Sequence, residues 1–434
     1  MPYTPELKEL IKVVEKTRPE RVAKKRAGEE IPFLSLDERK ERLNFHPDFK
    51  EEGRRELKVG PSKGYGIAHE IADLLEAGSR VAPEKVDLSE PAYETDVLVI
   101  GGGGAGTSAS ILASQQGANV IMATKLRHGD ANTMMAEGGI QAASKGHKDS
   151  PYYHYLDVMG GGHFTNVPEL AETLVNNAPD AIRWLEHQGV NFTKNSDGTL
   201  ETIHGGGTSR KRMHYAADIT GAEIMRTIRD EARNMADSIQ VLEFSPAVEL
   251  VLNEHGHCAG AVLYNMETQE YFVVKAKAVV LATGGCGRLH IQGFMTTNHC
   301  GATADGIVLG YRAGVPVSFL HTVQYHPTGI VFPEQAEAIL ITENFRGSGA
   351  NRLMGNSLLD IIVFGRIAGT SASQFIQDGV KDGKLTLDHV VKYNAEVEKA
   401  GITDGRVAPA IIPDYTEAEV RERQLTANYV GNVR

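Results

Sequence analysis

The stretch Asp96 to Lys125, DVLVIGGGGAGTSASILASQQGANVIMATK, decides the fold. It opens with a short β-branched apolar run, Val97 to Ile100, which is typical of a strand buried on both faces. Small and apolar residues then recur at helical spacing from Thr107 to Gln116, and Val120 to Ala123 predicts a second buried strand. Strand, helix and strand in this order predict a βαβ unit with parallel strands.

Glycines occupy the turn between the first strand and the helix. Gly101, Gly103 and Gly106 have the spacing G-x-G-x-x-G, which in this context indicates dinucleotide binding. Gly101 permits a tight turn, Gly103 lets backbone approach a pyrophosphate, and Gly106 lets the helix pack closely on the strand. The N–H groups and the positive dipole end of the helix N-terminus favour the phosphates. We therefore expect a bound dinucleotide.

The end of the second strand departs from the pattern of NAD-binding units. An Asp or Glu that binds the ribose hydroxyls is usual there, whereas this chain has Thr124 followed by Lys125. A hydroxyl still forms a hydrogen bond with a ribose, so dinucleotide binding survives while NAD specificity loses support. The sequence therefore favours FAD.

Composition and charge limit the classes of protein that the chain can represent. Its 434 residues are enough for two or three domains, and the formal charge of −11 argues against a nucleic-acid partner. Cys258, Cys286 and Cys300 are scattered and lack metal-ligand spacing, so we expect reduced thiols and no metal site. No apolar run approaches the length of a membrane span, and the N-terminus lacks a signal-peptide pattern. We therefore expect a cytoplasmic protein.

Residues 1–93 form a charged stretch ahead of the nucleotide-binding unit, with helices predicted at Leu7–Lys25 and Gly66–Val81. Their apolar residues come in short islands, so we interpret the stretch as a solvated N-terminal extension. A docking arm for a partner subunit is the alternative.

Further elements are predicted after the βαβ unit. Helical periodicity predicts helices at Glu169–Gly189, Ala222–Met235 and Leu385–Ala400, and the glycine-rich basic run His204–Arg212 predicts a loop. The strand-like runs are Ala247–Leu252, Gly260–Tyr264, Glu270–Val274 and Ala278–Ala282.

Six motifs follow in order. They are ATGG (Ala282–Gly285), TTN (Thr296–Asn298), ADGIVLGYRAGVPV (Ala304–Val317), QYHPTG (Gln324–Gly329), ITENFRG (Ile341–Gly347) and GANRLMGNSLLDIIVFGR (Gly349–Arg366). With the glycine turn, they resemble the flavoprotein subunit of succinate dehydrogenase or fumarate reductase, in the FAD-dependent oxidoreductase 2 family, with L-aspartate oxidase as a near cousin. The resemblance implies an α/β fold: a Rossmann-like FAD-binding domain with a mostly parallel sheet, a truncated capping domain and a short helical C-terminal tail.

The resemblance implies a C4 dicarboxylate substrate and four residues that bind it. His326 and Arg352 would hold carboxylate oxygens, with Thr342 adding a hydroxyl donor and Glu343 orienting nearby donors. Arg352 suits this role because its planar guanidinium binds a carboxylate through two hydrogen bonds. Glu343 could equally be a salt-bridge partner of Arg346, and His326 taken alone could be a structural histidine.

The resemblance also implies which residues contact FAD. The glycine turn would hold the pyrophosphate, Thr124 and Lys125 would lie near the adenosine, and Thr133, Gly138 and Gly139 along the isoalloxazine. The predicted cofactor-binding residues are Gly101, Gly103, Gly104, Ala105, Gly106, Thr124, Lys125, Asn132, Thr133, Gly138, Gly139, Ala282, Thr283, Gly284, Asp305, Asn356, Ser357 and Leu358.

Two departures from the family pattern affect the expected chemistry. Membrane-bound members attach FAD covalently to the histidine of an S-H-T sequence, whereas this chain reads Ala131-Asn132-Thr133, so we expect non-covalent FAD. The family also has a capping domain, which carries a proton-shuttling arginine, between its counterparts of the last two motifs. In this chain those motifs are almost contiguous: one ends at Gly347 and the next begins at Gly349. Losing general acid catalysis commonly costs about 10²–10⁴-fold in rate.

These features divide the chain into five parts. The predicted parts are a charged N-terminal extension (1–93), an FAD-binding domain with a helical insertion at about 160–240 (94–329), a remnant of the capping domain (330–347), a return segment of the FAD-binding domain (348–372) and a helical tail (373–434).

The sequence thus predicts an FAD-dependent oxidoreductase that interconverts succinate and fumarate by hydride transfer at flavin N5. Electrons would pass to or from an iron–sulfur partner subunit, because the chain has no Cys clusters of its own. With a membrane anchor subunit in the assembly, the protein would be peripheral on the inner face of the cell membrane. The alternatives are L-aspartate oxidase and, because the lid and its arginine are missing, a non-catalytic flavin-binding protein.

Overall fold

The computed structural model describes residues 5–29, 35, 37, 38, 41, 51–144, 148–289, 296–324 and 353–411. The chain forms two compact units, residues 1–51 and 52–434. In the first unit, helix α1 (Pro5–Arg26) contains Pro19 and leaves Leu10 and Val13 exposed. The helix predicted at Leu7–Lys25 is therefore confirmed.

The second unit is a mixed α/β structure. Its strands are β1 (Arg54–Glu56), β2 (Gly66–Ala68), β3 (Gly78–Ser79), β4 (Tyr93–Ile100), β5 (Val120–Ala123), β6 (Ile140–Gln141), β7 (Ile203–His204), β8 (Lys211–His214), β9 (Ile239–Leu242), β10 (Ala247–Asn253), β11 (Cys258–Asn265), β12 (Glu270–Leu281), β13 (Leu385–Thr386) and β14 (Val407–Ala408). Its helices are α2 (His69–Leu75), α3 (Gly104–Gln115), α4 (Pro151–Gly161), α5 (Pro168–Gln188), α6 (Thr220–Asn234), α7 (Asp305–Arg312), α8 (Asn356–Gln377) and α9 (Asp388–Lys399).

A seven-stranded sheet lies at the centre of this unit, in the order β13-β10-β11-β12-β4-β5-β9. The pairs β12–β4, β4–β5 and β5–β9 are parallel, and the pairs on the other side of β12 are antiparallel. Five of the seven strands consequently run in one direction. Residues Val97 to Ile100 of β4 are buried on both faces, as expected of a parallel strand covered by helices. The predicted α/β fold with a mostly parallel sheet is confirmed.

The predicted βαβ unit is formed by β4, α3 and β5, and its close packing explains the glycines. Gly101 has a φ of +117°, which disfavours any residue with a side chain. A Cβ on Gly101 would collide with the carbonyl oxygen of Ala282, and a Cβ on Gly106 would collide with the carbonyl oxygen of Gly101. Strand, turn and helix therefore approach one another as closely as backbone atoms allow.

Strand β12 joins two runs that the sequence predicts as separate strands. Its first part pairs antiparallel with β11 and its second part pairs parallel with β4. Lys275 and Lys277 interrupt the apolar pattern, but both side chains keep contact with solvent and lie near carboxylates of Glu94 and Asp96. The polar residues therefore do not end the strand.

The other predicted helices differ from the structure mainly at their ends. Helix α5 ends at Gln188 because Gly189 adopts a φ of +101°, a common helix terminator. Helix α9 begins only at Asp388, because Leu385 and Thr386 form β13 against β10. The helix predicted at Gly66–Val81 is wrong at both ends: only α2 is helical, and the flanking residues form β2 and β3.

Residues 54–81 contribute to a hydrophobic core. Leu57, Val59 and Ile71 are no more than 2% exposed and belong to the cluster that contains Tyr311 of α7 and Tyr393 of α9. The interpretation of this part as a solvated extension is therefore wrong. Its apolar islands are short because α7 and α9 supply the other side of the core.

No helix is predicted for the segment that forms α8, which lies directly against α3. A Cβ on Gly365 would lie 2.5 Å from the carbonyl oxygen of Ala105, and a Cβ on Gly369 would collide with that of Ala109. Helix α8 also continues across residue 372, where one domain boundary is predicted. The domain boundaries stay predictions, and residues 330–347 lie outside the described residues.

We expect Gly369→Ala to lower the free energy of unfolding by about 1–3 kcal/mol, because the added methyl group meets the backbone of α3. Gly160→Ala in α4 is the matched control: nothing lies within 4 Å of a Cβ there, so alanine should be neutral or stabilise the helix by up to about 1 kcal/mol. Urea unfolding followed by circular dichroism measures both. Equal free energies of unfolding in the two variants would contradict the close α3–α8 contact.

Candidate functional site

A cavity of about 540 Å³ lies at the carboxyl ends of β4, β5 and β12. Ligands of open α/β sheets bind at this edge, and sites for small molecules commonly have volumes of about 300–1,000 Å³. The glycine turn, the loop after β5, the start of α7 and the first turns of α8 contribute to the wall. The predicted cofactor-binding residues that line it are Gly101, Gly103, Gly104, Ala105, Thr124, Lys125, Asn132, Thr133, Ala282, Thr283, Gly284, Asp305, Ser357 and Leu358.

Helix α3 begins at this cavity and has no side-chain cap from its own N-cap residue, Gly103. The hydroxyl of Thr133 accepts a hydrogen bond from the backbone N–H of Gly104 at 3.0 Å. The N–H groups of a first helical turn have no partners within the helix and carry the positive end of its dipole. This end of the cavity is therefore suited to an anionic group.

A buried ion pair forms the wall at the end of β5. Nζ of Lys125 lies 2.6 Å from the carboxylate of Asp305, and the two side chains are only 10% and 8% exposed. The same amine donates to Oγ1 of Thr303 at 2.8 Å and to the carbonyl oxygen of Ala410 at 2.7 Å. Burial raises the pKa of Asp305 above its usual value, although the charge of Lys125 opposes this shift. The charge of Lys125 is thus already neutralised within the protein.

Four predicted cofactor-binding residues do not line the cavity. Gly106 and Gly139 are sites of close packing, since a Cβ on either would meet a backbone oxygen, and Gly138 adjoins Gly139. Oδ1 of Asn356 lies 3.1 Å from Nε2 of His154. Burial lowers the pKa of His154 to about 4, so the neutral ring donates to Asn356. These residues support the cavity from behind its wall.

The loop after β5 carries Asn132, where covalent members of the resembling family have their histidine. Asn132 lines the cavity, and its Oδ1 accepts a hydrogen bond from the backbone N–H of His299 at 2.7 Å. His128 is buried elsewhere, with Nε2 at 3.0 Å from the hydroxyl of Thr107, and burial lowers its pKa to about 4. His128 is therefore not placed to replace the missing histidine.

The predicted basic loop at His204–Arg212 is wrong in part, because its ends form β7 and β8 around a short turn. Arg212 is fully buried between the carboxylates of Asp149 and Asp157. Its guanidinium therefore holds the protein together and is not available to a ligand.

The predicted substrate residues His326, Thr342, Glu343 and Arg352 lie outside the described residues, so their placement stays a prediction. Within the described ranges, no group of three or more His, Cys, Asp or Glu is arranged to hold a metal ion. The described helices include none that is long and apolar enough to cross a membrane.

Several cavity residues are not predicted from the sequence. They are Leu126, Asp130, Ala131, His299, Gly301 and Ile361, among others. His299 directly follows the TTN motif, but a motif does not reveal that this segment contacts the loop of Asn132. Ile361 lies within the last of the six motifs, where the helical spacing of the apolar residues is the signal that could have found it.

Residues 96–358, more than half of the chain, match the protein family described as FAD binding domain. The chain belongs to this family. FAD is therefore its cofactor, which confirms the prediction, and the cavity fits it. The α3 N-terminus suits a diphosphate, Thr124 and Asn132 offer polar atoms, and apolar residues such as Leu126 and Ile361 suit flat rings.

The chain also resembles individual members of the FAD binding domain family. It is 35% identical over 260 residues to a fumarate reductase (CoM/CoB) polypeptide of Methanothermobacter marburgensis, covering 59% of this chain and 46% of that protein. It is 36% identical over 266 residues to the L-aspartate oxidase of Streptomyces coelicolor, covering 60% of this chain and 45% of that protein. The chain thus spans about half the length of the curated relatives it matches.

The fold is similar to that of Mycobacterium smegmatis Sdh1 solved in complex with UQ1. The TM-score is 0.62 at 27% sequence identity, covering 70% of this chain and 72% of that chain. The expected likeness to the succinate dehydrogenase and fumarate reductase flavoproteins is thereby confirmed.

We expect Lys125→Met to lower the free energy of unfolding by about 3–5 kcal/mol, because it leaves the buried Asp305 carboxylate with the hydroxyl of Thr303 but without its cationic partner. The control is Lys277→Met: Lys277 lies 2.7 Å from Asp96 but is 57% exposed, and surface pairs contribute only about 0–1 kcal/mol. Urea unfolding at one fixed FAD concentration compares the variants, since bound ligand itself stabilises the fold. A loss in Lys125→Met no larger than in the control would show that the buried pair does not hold the cavity wall.

Proposed function

We propose that this FAD-binding protein is an oxidoreductase that interconverts succinate and fumarate. The observation that carries the proposal is the single cavity wall built from the glycine turn, the ATGG segment, the start of α7 and the NSLL segment of α8. These segments are among the motifs on which the resemblance to succinate dehydrogenase and fumarate reductase rests. The relative named fumarate reductase supports the same substrate class.

FAD supplies the hydride chemistry when it is bound. The chain's own residues would hold it: the N-terminus of α3 would bind the diphosphate, and the Lys125–Asp305 pair forms the wall at the end of β5. Ser357 and Leu358 close the cavity from the side of α8. The lining combines apolar residues such as Leu126 and Ile361 with polar side chains such as Thr124 and Asn132.

Substrate binding in this proposal rests on the four residues implied by the resemblance. His326 and Arg352 bind the two carboxylate ends of a C4 dicarboxylate, Thr342 donates a hydroxyl hydrogen bond, and Glu343 orients the donors. Charge-assisted hydrogen bonds are the strong ones, so Arg352 contributes most to the affinity for a dianion.

We further propose that FAD is held without a covalent bond. Asn132 stands at the position of the attaching histidine, and its side-chain oxygen binds the backbone of His299. An amide does not form a histidyl-type bond to the flavin. Tight binding must then come from the contacts along the cavity wall.

L-aspartate oxidase is the second candidate function. The relative of that name is as similar to this chain as the fumarate reductase relative is, and it covers nearly the same share of it. Both reactions remove hydride from a C4 dicarboxylate carbon, so the same cavity serves either. The product distinguishes them.

The partners follow from the reaction. Electrons exchanged with the flavin require a carrier, and we propose an iron–sulfur partner subunit, with a membrane anchor subunit completing the assembly. In that assembly the protein is cytoplasmic and peripheral on the inner face of the cell membrane.

The decisive experiment starts from the anaerobic protein with its flavin chemically reduced. Adding fumarate should restore the visible spectrum of oxidised FAD promptly. Arg352→Gln should slow this reoxidation by about 10–100-fold, because charge-assisted hydrogen bonds contribute about 1.5–3 kcal/mol. Arg366→Gln is the control, since Arg366 lies on α8 and binds Asp180 rather than the cavity. Stopped-flow absorbance measures each rate.

Each outcome of this experiment has a definite meaning. Flavin that stays reduced until oxygen is admitted would contradict the proposal and favour a non-catalytic flavin-binding protein. Release of oxaloacetate and ammonia from L-aspartate, with no reaction of succinate, would favour L-aspartate oxidase. Equal slowing of flavin reoxidation in Arg352→Gln and Arg366→Gln would show that Arg352 does not bind the substrate.

Acid precipitation tests the mode of FAD attachment. We expect all the flavin in the supernatant, because no covalent bond holds it, and mass spectrometry of the pellet should give the mass of the unmodified chain. A yellow pellet with the added mass of FAD would show that another residue has taken the role of the absent histidine.

A further inference from the structure

His299 lines the FAD cavity, yet no motif of the sequence assigns it a role. It is half-buried and follows directly after Asn298 of the TTN motif. Its backbone N–H donates to Oδ1 of Asn132 at 2.7 Å, and its ring nitrogen Nδ1 accepts from the backbone N–H of Gly301 at 3.2 Å. The backbone of His299 is thus held by Asn132, and its imidazole is held by the hydrogen bond from Gly301.

These contacts determine which ring nitrogen can donate. Because Nδ1 accepts a hydrogen bond, the proton of the neutral ring resides on Nε2. The neutral ring therefore offers one N–H donor, Nε2. Protonation of Nδ1 would add a positive charge at the wall of the cavity and would break the hydrogen bond that Nδ1 accepts from Gly301. A histidine in this arrangement can bind an anion either way and binds it more strongly when charged.

The neighbourhood of His299 is the part of the cavity suited to an anion. Its partner Asn132 lies between Ala131 and Thr133, which flank the first turn of α3: Thr133 accepts from Gly104, and a Cβ on Gly103 would lie 3.1 Å from Cβ of Ala131. His299 is therefore attached to the loop beside the helix N-terminus. That N-terminus is the expected diphosphate position.

Charged groups around the ring set its protonation before the cofactor binds. Burial lowers the pKa of His299 below 6.5, Arg288 and Lys125 lower it further, and Asp130 opposes them. Lys125 also lies near Gly301, and its amine is neutralised by Asp305. The ring is thus neutral at neutral pH while the cavity holds no anion.

We infer that His299 is a ligand of the FAD diphosphate and takes up a proton when FAD binds. The diphosphate carries two negative charges, and a nearby anion favours the imidazolium. FAD affinity is then greatest below the pKa of the free protein and falls as the pH rises through the higher pKa of the complex. The inference rests on FAD binding and not on succinate–fumarate turnover, so either proposal can fail alone.

The test measures FAD binding to the full chain after its flavin has been removed. For the natural protein we expect the dissociation constant to rise about tenfold between about pH 5.5 and pH 8, which corresponds to a pKa shift of about one unit. Titration calorimetry in buffers of different ionisation enthalpy should show proton uptake on binding. ADP-ribose, which carries the same diphosphate without the flavin, should show it too.

His299→Asn should abolish both the pH dependence and the proton uptake, and His299→Gln repeats the test with a longer amide. His69→Asn is the matched control, because His69 is also half-buried but does not line the cavity. The inference is overturned if the natural protein takes up no proton, a measurement that needs no variant. It is equally overturned if uptake persists in the His299 variants, or if FAD shows uptake and ADP-ribose does not.

Discussion

The structure depends on one steric constraint: backbone must meet backbone without intervening side chains around helix α3. Gly101 lies against the backbone of Ala282, and Gly106 lies against the backbone of Gly101. Gly365 and Gly369 of α8 lie against the backbone of α3. A Cβ at any of these glycines would push two elements apart. Because α3, α8 and the ends of β4 and β12 form the cavity wall, the same contacts determine its width. The glycines therefore serve packing first, and the binding of a cofactor follows from the packing.

Buried ion pairs add a second layer of constraint. Lys125 and Asp305 neutralise one another in the wall, and Arg212 is enclosed by Asp149 and Asp157. The Arg312–Glu249 pair, also fully buried, ties α7 to β10. Such pairs contribute little net stability, but losing one partner is costly, so they select a single arrangement over alternatives. Each pair thus favours one arrangement of the elements that it joins.

The sequence predicts well those elements whose signal is local. Strands β4 and β5 and the glycine turn follow from apolar periodicity and residue type over a short stretch, and Thr124, Lys125 and Asp305 indeed line the cavity. The predictions fail where an element packs against residues that are far away in the sequence. Residues 54–81 look like isolated apolar islands because the core that receives them comes from α7 and α9.

The same limit applies to the site. Gly139 and Asn356 match motif positions of the family, yet the fold uses them for packing and for the bond to His154. His299 reaches the cavity through contact with a much earlier loop, at a sequence separation of 167. A sequence motif indicates which residues lie close to the site. Which of them line the cavity depends on tertiary contacts that the motif does not contain.

The contact between Lys125 and Ala410 has a consequence for how the protein is made. The two residues are 285 positions apart, and the α8 part of the wall also comes late in the chain. Since chains are synthesised and begin to fold from the N-terminus, the glycine turn leaves the ribosome long before the part of the cavity wall that α8 contributes. Nascent chains therefore pass through a stage in which the glycine turn is present and the α8 part of the cavity wall is not.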